Sequence, residues 1–202
     1  AFYKPHLEVG GDYYDVFTVD EDRMVFCMAD VSGKGIAAAF LMSNFQANLR
    51  ASFQYEPDDL VSVVNRLNER VSENAKGEKY ITVFAAVYHR RKRELQYVNC
   101  GHNPPRIMLA DGKTQQLELG SVGLGMFREI PSLETGVVQL DRDSTLVCFT
   151  DGLVEQENEE GVPFGMQRME DILRERRGMP VKDVQTALID SVKTFKGEEP
   201  SF

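Results

Sequence analysis

The 202-residue sequence lacks three features that mark large classes of protein. It has no apolar run near ~18 residues, so we expect no membrane span. It carries 23 basic against 32 acidic side chains, and the net charge of −9 argues against nucleic acid as a partner, because nucleic-acid binding needs a basic surface. The N-terminus shows no signal peptide. Its three cysteines are too few for a disulfide framework and are odd in number. Both facts favour free thiols in a reducing compartment and hence the cytoplasm.

What the sequence does contain is typical of one folded domain. Hydrophobic residues make up 42% and charged residues 27%, and this balance predicts a soluble globular protein with a sizeable core. Cys27, Cys100 and Cys148 lie in or beside apolar runs, so we expect buried structural thiols. Their placement gives no support to a catalytic Cys-His pair.

One stretch combines a buried strand with a carboxylate. Residues 24–29 are apolar, Asp30 follows them, and glycines stand at positions 33 and 35. The run predicts a strand that is buried on both faces. A carboxylate at its end is costly to bury unless a cation or several N–H donors meet it. The glycines permit a sharp turn into a helix, so the stretch favours a metal or phosphate site at a strand-to-helix junction.

Two further aspartates have comparable surroundings. Asp12 follows a pair of glycines, and Asp151 ends an apolar run and precedes Gly152. We expect the fold to gather Asp12, Asp30 and Asp151 around hard divalent cations, which prefer carboxylate, carbonyl and water oxygens. On a strand, Asp12 and Asp15 face opposite sides, so only one of these two can point into a shared site.

Four motifs occur in a fixed order along the chain. They are Gly-Gly-Asp-x-x-Asp at 10–15, Ala-Asp-Val-Ser-Gly-Lys-Gly at 29–35, Asn-Cys-Gly-His-Asn-Pro-Pro at 99–105 and Phe-Thr-Asp-Gly at 149–152. Together they resemble the bacterial SpoIIE/RsbU type of metal-dependent serine/threonine phosphatase (type 2C, PPM). Any one motif would be weak evidence, but four in the same order make chance agreement improbable. The resemblance runs from about residue 2 to the last residue.

The resemblance implies a fold and a metal site. The fold would be α+β, a four-layer α-β-β-α sandwich of two antiparallel sheets flanked by helix pairs. The site would hold two Mn²⁺ or Mg²⁺ ions. Asp30 would bridge both ions, the Val31 carbonyl would ligate one, Asp151 would ligate the other, and Asp12 would act mainly through bound water. Lys34 is either a substrate-binding ammonium or a solvated turn lysine.

The resemblance also implies a reaction and partners. Metal-activated water would hydrolyse a phosphoserine or phosphothreonine on a small regulatory protein, of the anti-sigma-factor antagonist type, in a bacterial partner-switching pathway. No phosphoenzyme would form. Because the chain starts close to the first motif, we expect a sensory or regulatory region upstream in the parent protein. The oligomeric state is open, with a homodimer as one option.

The end of the chain departs from the family pattern. In the family, the last helix is followed by an Asp-Asp-Ile-Thr strand whose aspartate completes the second metal site, and this chain stops at residues 198–202 where that strand should begin. We therefore expect a single domain, 1–202, that lacks the final strand and has an incomplete second metal site. The alternative is a catalytically inactive phosphatase-like module that binds a regulatory partner.

Apolar periodicity predicts the remaining elements and independently favours α+β, since strands form hairpins and helices occur in pairs. The first helix is apolar nearly all round, which predicts burial against a sheet. We expect strands over 8–19, 24–30, 80–89, 94–100, 106–110, 134–140 and 144–150, and helices over 35–53, after residue 59, over 166–177 and from residue 180.

Several other motifs are better explained by ordinary structure. The run 90–93 is four cations that we interpret as a solvated hairpin turn. Residues 141–145 match Asp-x-Asp-x-Thr, the nucleophile motif of haloacid-dehalogenase-like phosphatases, but a hairpin turn is the better interpretation. Residues 120–125 do not fit a dinucleotide-binding loop, and residues 28–35 fail the P-loop pattern. His102 is either a general acid or a hydrogen-bonding residue of its turn.

Overall fold

The described residues form two compact units. A computed structural model of the chain describes residues 1–3 and 10–197. The large-sheet unit contains residues 10–105 and 117–140, and the small-sheet unit contains residues 1–3, 106–116 and 141–197. Each unit has its own sheet and its own apolar cluster.

Nine strands lie among the described residues; most are shorter than the sequence predicts, one has the predicted bounds, and two short ones were not expected. They are β1 Tyr13–Thr18, β2 Arg23–Val31, β3 Ile81–His89, β4 Glu94–Cys100, β5 Arg106–Met108, β6 Thr114–Gln116, β7 Gly120–Ser121, β8 Gly136–Gln139 and β9 Thr145–Val147.

Five helices lie among the described residues, and the four-residue helix α3 was not expected. They are α1 Ile36–Tyr55, α2 Leu60–Ala75, α3 Asp151–Val154, α4 Gly165–Glu175 and α5 Val181–Phe195. Asp59 caps helix α2, because its side chain accepts a hydrogen bond from the backbone N–H of Ser62.

The large sheet has the strand order β1-β2-β3-β4-β7, and β8 also pairs with β4. Every pairing in it is antiparallel except the short parallel pairing of β4 with β7. The turn between β3 and β4 contains residues 90–93, and Arg90 and Arg91 donate backbone hydrogen bonds to Asp22 of the neighbouring turn. The four cations therefore form a hairpin turn, as predicted.

The core of the large-sheet unit lies between its sheet and the helices α1 and α2. Alternate residues of β2 contribute to it, namely Val25, Cys27, Ala29 and Val31, while the residues between them are partly exposed. This alternation corrects the expectation that the strand is buried on both faces. It also fixes the opposite face as the one that carries Asp30.

Helix α1 packs against the sheet, as predicted, but it is not covered on every side. One side packs into the core through residues such as Phe45 and Leu49, but Ile36 and Phe40 are exposed. Apolar composition alone does not distinguish a helix that is covered on every side from one that is covered on one side, because an exposed apolar residue is common on protein surfaces.

The small-sheet unit consists of a three-stranded antiparallel sheet in the order β6-β5-β9 and the helices α3, α4 and α5. Its apolar cluster includes Phe149, Phe164, Met169 and Leu188. The expected hairpin around residues 141–143 is wrong, because β8 pairs with β4 of the large sheet whereas β9 pairs with β5. The residues do form a turn, but it connects strands of different sheets.

The predicted fold class is confirmed at the level of its elements. Two sheets and two contacting helix pairs, α1 with α2 and α4 with α5, give an α+β protein. The large sheet is antiparallel as expected, apart from the two-residue strand β7.

Candidate active site

Asp30 is held near the end of a strand with neighbours on both sides. It pairs in register with Thr82 of β3, while β1 flanks the other side of β2. It is partly buried and lies on the face of the sheet opposite the helices. Two neighbouring strands therefore fix the position of this carboxylate, whereas a carboxylate on a flexible loop would be free to move.

Asp12 lies across from Asp30. Tyr13 pairs with Ala29, so the antiparallel register continued by one residue brings Asp12 opposite Asp30 and Gly11 opposite Val31. The backbone N–H of Val31 donates to the Gly11 carbonyl at 3.3 Å, which agrees with that register. Residues directly opposite in an antiparallel pair project from the same face. The two carboxylates thus share one face of the strand end.

Gly11 makes this approach sterically feasible. A Cβ at Gly11 would lie 2.9 Å from the carbonyl oxygen of Val31 and 3.3 Å from Oδ1 of Asp30. Both distances are shorter than ordinary carbon–oxygen contacts, so a side chain there would displace the two groups. Gly11 therefore lets the first motif pack directly against the second.

Asp15 faces the helices and has a structural role. Its carboxylate forms a two-pronged ion pair with Arg50 of α1 and accepts a hydrogen bond from the Tyr13 hydroxyl. Burial works to raise the pKa of Asp15, but the hydrogen bonds from Arg50 and Tyr13 outweigh it and lower the pKa below its usual value. Asp15 therefore fastens α1 to the sheet.

The turn after Val31 is fixed by hydrogen bonds to the residues before β3. Ser32 donates its backbone N–H to the Tyr80 carbonyl, and its hydroxyl accepts from the backbone N–H of Tyr80. Gly33 and Gly35 have φ of 90° and 79°, which side-chain-bearing residues rarely adopt. Lys34, the candidate substrate-binding residue, is exposed.

The side chain of Lys79 also contacts this turn, and sequence reasoning did not single it out. Its Nζ donates to the Ser32 carbonyl at 3.1 Å. No motif marks Lys79, because the contact depends on the pairing of β2 with β3, and only that pairing brings residue 79 beside residue 32.

His102 belongs to a buried turn next to the same strands. Its backbone N–H donates to the Asn99 side-chain oxygen at 2.8 Å, and its Nδ1 lies 3.2 Å from the Thr82 hydroxyl. The imidazole is buried. These contacts favour the hydrogen-bonding role of His102 in its turn over general-acid chemistry. Thr82 pairs with Asp30 and contacts His102, so it connects this turn to strand β2.

Asp151 is held in a different way and belongs to the small-sheet unit. It is the first residue of the short helix α3, follows the buried Phe149 by two positions and is exposed. Its carbonyl accepts a hydrogen bond from the backbone N–H of Glu155 at 2.8 Å. Asp12 and Asp30 come together within one unit, and the convergence of Asp151 with them stays a prediction.

The residues at the Asp30 strand end suit a hard divalent cation. They are two carboxylates, Asp12 and Asp30, and the carbonyl of Val31, all oxygen donors. Across residues 1–3 and 10–197, no group of three or more His, Cys, Asp or Glu side chains is arranged to hold a metal ion. A small ion such as Mg²⁺ keeps several waters and needs only one or two protein carboxylates, so the pair fits such an ion.

The thiols have no catalytic features. Cys27, Cys100 and Cys148 are free, the first two are buried and the third is partly buried. Burial raises the pKa of Cys100 to about 12 and that of Cys148 to about 12. A thiol with so high a pKa is not a thiolate at neutral pH and is a poor nucleophile.

Comparison with curated proteins finds bacterial phosphatases among the relatives. The chain is 30% identical to phosphoserine phosphatase RsbU of Bacillus subtilis over 165 residues, which is 78% of this chain and 46% of RsbU. It is 24% identical to phosphoserine phosphatase RsbP of the same organism, covering 97% of this chain and 47% of RsbP. The chain thus spans about half the length of these two relatives.

Solved structures share the fold at low sequence identity. The SiaA PP2C domain of Pseudomonas aeruginosa matches 98% of this chain and 79% of its own with a TM-score of 0.84 and 20% identity. The PP2C domain of Bacillus subtilis SpoIIE matches 94% of this chain and 55% of its own with a TM-score of 0.77 and 16% identity. The structure of RsbX in complex with magnesium matches 96% of this chain and 84% of its own, with a TM-score of 0.71 and 17% identity. The fold is that of PP2C-type phosphatase domains.

In the part of the chain that the structure describes, no helix combines the length and apolar character that crossing a bilayer requires.

The family described as Stage II sporulation protein E (SpoIIE) matches residues 20–201. This match covers most of the chain, and the chain belongs to the SpoIIE family of PP2C-type phosphatase domains, the SpoIIE/RsbU type.

Proposed function

We propose that this domain is a metal-dependent protein phosphatase that hydrolyses phosphoserine or phosphothreonine on a small regulatory protein. The family is one of phosphatases, and two relatives are named phosphoserine phosphatases. The particular substrate, the metal requirement and the residue roles are the proposal. Three free thiols fit the reducing cytoplasm in which such a regulatory protein would be met.

One observation carries the proposal more than any other. Asp12 and Asp30 lie opposite each other at one strand end, with the Val31 carbonyl packed against Gly11 beside them. Carboxylate and carbonyl oxygens are the ligands that hard divalent cations prefer. A site of this kind favours a divalent ion over a purely structural role for the pair.

The residue roles follow the family resemblance. Asp30 would ligate both ions, Val31 would contribute its carbonyl to one, and Asp151 would ligate the other. Asp12 would orient bound water. Bound Mn²⁺ or Mg²⁺ supplies a coordinated water of lowered pKa and neutralises charge on the phosphoryl group.

In the proposed reaction, the side chains of the protein hold and orient the ions and the substrate and form no covalent bond with the phosphate. Burial raises the pKa of the Cys100 and Cys148 thiols, and the backbone N–H of His102 is hydrogen-bonded within its turn. Direct hydrolysis by water, without a phosphoenzyme, is therefore the reaction we propose. The substrate class follows the family resemblance: an anti-sigma-factor antagonist in a partner-switching pathway, with its phosphoserine drawn by local cations such as Lys34 despite the net charge of −9.

The test is phosphate release from a synthetic phosphoserine peptide by the 202-residue chain. The rate is measured with added MnCl₂, with added MgCl₂ and with excess EDTA. We expect release with at least one of the two ions and none with EDTA. Equal release in EDTA would remove the metal mechanism. No release with either ion would favour the alternative, a phosphatase-like module that binds a partner without hydrolysis.

A further inference from the structure

Thr82 lies beside Asp30 on the face of the large sheet that carries the candidate metal ligands. The two residues pair in register across β2 and β3, and residues directly opposite in an antiparallel pair project from the same face. The neighbours of Thr82 on β3, Ile81 and Val83, are buried in the core beneath the helices, whereas Thr82 is only partly buried. Because Asp12 flanks Asp30 on the β1 side, the side chains form a row of Asp12, Asp30 and Thr82 across three strands.

The Thr82 hydroxyl contacts the imidazole of His102 and the backbone of Asp30. Its Oγ1 is 3.2 Å from Nδ1 of His102 and 3.5 Å from the carbonyl oxygen of Asp30. A hydroxyl has one proton and two lone pairs. If the hydroxyl donates to Nδ1, both lone pairs stay available. If Nδ1 donates to the hydroxyl, the proton turns to the Asp30 carbonyl and one lone pair stays available. With either tautomer of His102, the Thr82 oxygen therefore keeps a place to accept a hydrogen bond.

His102 is a firmly held partner for this hydroxyl. Its imidazole is buried, and its backbone N–H donates to Oδ1 of Asn99 at 2.8 Å. Asn99 is also buried, and its Nδ2 donates to the Leu117 carbonyl at 3.1 Å. Buried hydrogen-bonded networks are rigid, because breaking one bond leaves a polar group without a partner in a medium of low dielectric constant. The position of the Thr82 oxygen is therefore set by the ladder of β3 and by His102 together.

We propose that Thr82 is a further residue of the metal site: its oxygen accepts a hydrogen bond from a water molecule in the hydration shell of the ion, and His102 positions its hydroxyl for this contact. A small hard cation keeps several waters when only one or two protein carboxylates bind it, and those waters donate hydrogen bonds. This proposal rests on the proposed function and deepens it, since it adds an uncharged oxygen to the carboxylates of Asp12 and Asp30. Hydrogen-bonding partners outside the direct ligands are a recognised source of metal affinity.

A purely structural role of Thr82 makes a different prediction. Thr82→Val keeps the branched shape and the strand preference of threonine but removes the hydroxyl. If the hydroxyl only joined the His102 turn to β3, its loss would lower the free energy of unfolding and leave the affinity for a metal ion unchanged. With the proposed role, the metal affinity falls as well. Thr82→Ser keeps the hydroxyl, so it should retain the affinity that Thr82→Val loses.

The experiment measures Mn²⁺ binding to the 202-residue chain by electron paramagnetic resonance, in which the signal of free hydrated Mn²⁺ reports the unbound fraction. No substrate is present. We expect Asp30→Asn to abolish binding, Thr82→Val to weaken it about tenfold, and Thr82→Ser to stay within about twofold of the wild type. Thr18→Val is the matched control, because Thr18 lies on the same face at the far end of β1, opposite Met24. It should bind Mn²⁺ as the wild type does. Thermal unfolding without metal verifies that each variant is folded.

A double-mutant cycle tests whether His102 acts through Thr82. His102→Asn keeps a polar atom bonded to Cγ, where Nδ1 was, whereas His102→Gln does not. The Asn variant should therefore bind Mn²⁺ more tightly than the Gln variant. In the Thr82→Val background, His102→Gln should cause no further loss of Mn²⁺ affinity, because the group that it positions is gone. The same loss in both backgrounds would assign His102 a structural role only.

The outcomes separate this proposal from the proposed function. Mn²⁺ binding that needs Asp30 but is unchanged in Thr82→Val would overturn the role of Thr82 and leave the proposed metal site standing. Absence of Mn²⁺ binding in the wild type would overturn both. Binding as predicted without phosphate release would count against the proposed function alone, because the resonance signal requires no turnover.

Discussion

Two of the candidate metal ligands, Asp30 and Asp151, are held in contrasting ways. Asp30 is the eighth residue of a nine-residue strand that pairs on both sides, with Asp12 opposite and Gly11 packed against it. Asp151 follows a three-residue strand and starts a four-residue helix, where it is exposed. The first carboxylate is fixed by a sheet, and the second is fixed by one turn of helix.

This contrast suggests a division of labour within the proposed metal site. A ligand on a long paired strand keeps its geometry when its surroundings fluctuate, because the ladder of the sheet must open before it moves. A ligand on a short helix is easier to displace, since short helices depend on tertiary packing for their stability. Of the two aspartates, Asp30 is therefore the one whose position its own secondary structure fixes more firmly.

The largest expected effect comes from removing the charge of each of these two aspartates. Asp30→Asn should lower metal-dependent phosphate release about a thousandfold, and Asp151→Asn about a hundredfold, because Asp30 is proposed to contact both ions and Asp151 one of them. Initial rates over a range of MnCl₂ concentrations measure both effects. For Asp151→Asn, added Mn²⁺ should restore part of the rate.

Asp20→Asn serves as the matched control for these variants. Asp20 lies in the turn between β1 and β2, where its carboxylate accepts hydrogen bonds from Arg23 and Asp22 and has a pKa of about 2. Its replacement should leave the rate within about twofold of the wild type, as for most surface substitutions. Full activity of both Asp30→Asn and Asp151→Asn would rule out the proposed ligand roles.

A smaller effect follows from adding one methyl group beside each aspartate. In Gly11→Ala, the new Cβ would press on the Val31 carbonyl and on Oδ1 of Asp30. We expect a stability loss of about 1–3 kcal/mol and weaker Mn²⁺ affinity, since overpacking forces neighbours to shift. Thermal unfolding and the Mn²⁺ dependence of the rate measure the two consequences.

Gly152→Ala is the counterpart next to Asp151. Its Cβ would meet only Thr150 Oγ1 at 3.9 Å, which is an ordinary contact. Alanine is also the better helix former by about 1 kcal/mol, so this variant should be as stable as the wild type or more stable. If Gly11→Ala were tolerated as well as Gly152→Ala, the packing of Gly11 against Asp30 would not hold the site.

Sequence reasoning succeeds for features that depend on local pattern. The strand before Asp30 follows from its apolar run, and the turn after it follows from Gly33 and Gly35, whose positive φ requires glycine. The two-residue periodicity of strands also separates Asp12 from Asp15 correctly, because Asp15 faces Arg50 on α1.

Features that depend on strand pairing could not be predicted from the sequence. Strand β8 joins β4 and strand β9 joins β5, although a short turn around Asp141 makes a local hairpin equally reasonable. The contact of Lys79 with the Ser32 turn is of the same kind, since 47 residues separate the partners. Exposure of Phe40 on α1 depends on which neighbours cover that helix, and composition does not carry this information.

The smallest expected effect concerns Asp15, which lies on the same strand pair as Asp12 but faces the other way. Its carboxylate is mostly buried while Arg50 is half exposed, so solvent screens part of the attraction and we expect Asp15→Asn to cost about 1 kcal/mol near pH 7. Phosphate release should change little, because Asp15 points away from Asp30. Chemical denaturation between pH 3 and 7 measures the stability difference.

The pH dependence tests whether the Asp15 charge is responsible. The pKa of Asp15 is lowered in the folded protein, so the folded state favours the ionised carboxylate. The stabilisation is therefore complete above the pKa of the unfolded chain, about 3.9, and is lost as the pH falls through the lower folded value. Wild type and Asp15→Asn should differ most near neutral pH and converge at acidic pH. A difference that stayed constant with pH would assign the role of Asp15 to shape and hydrogen bonding, and its ion pair with Arg50 would then contribute nothing to holding α1 on the sheet.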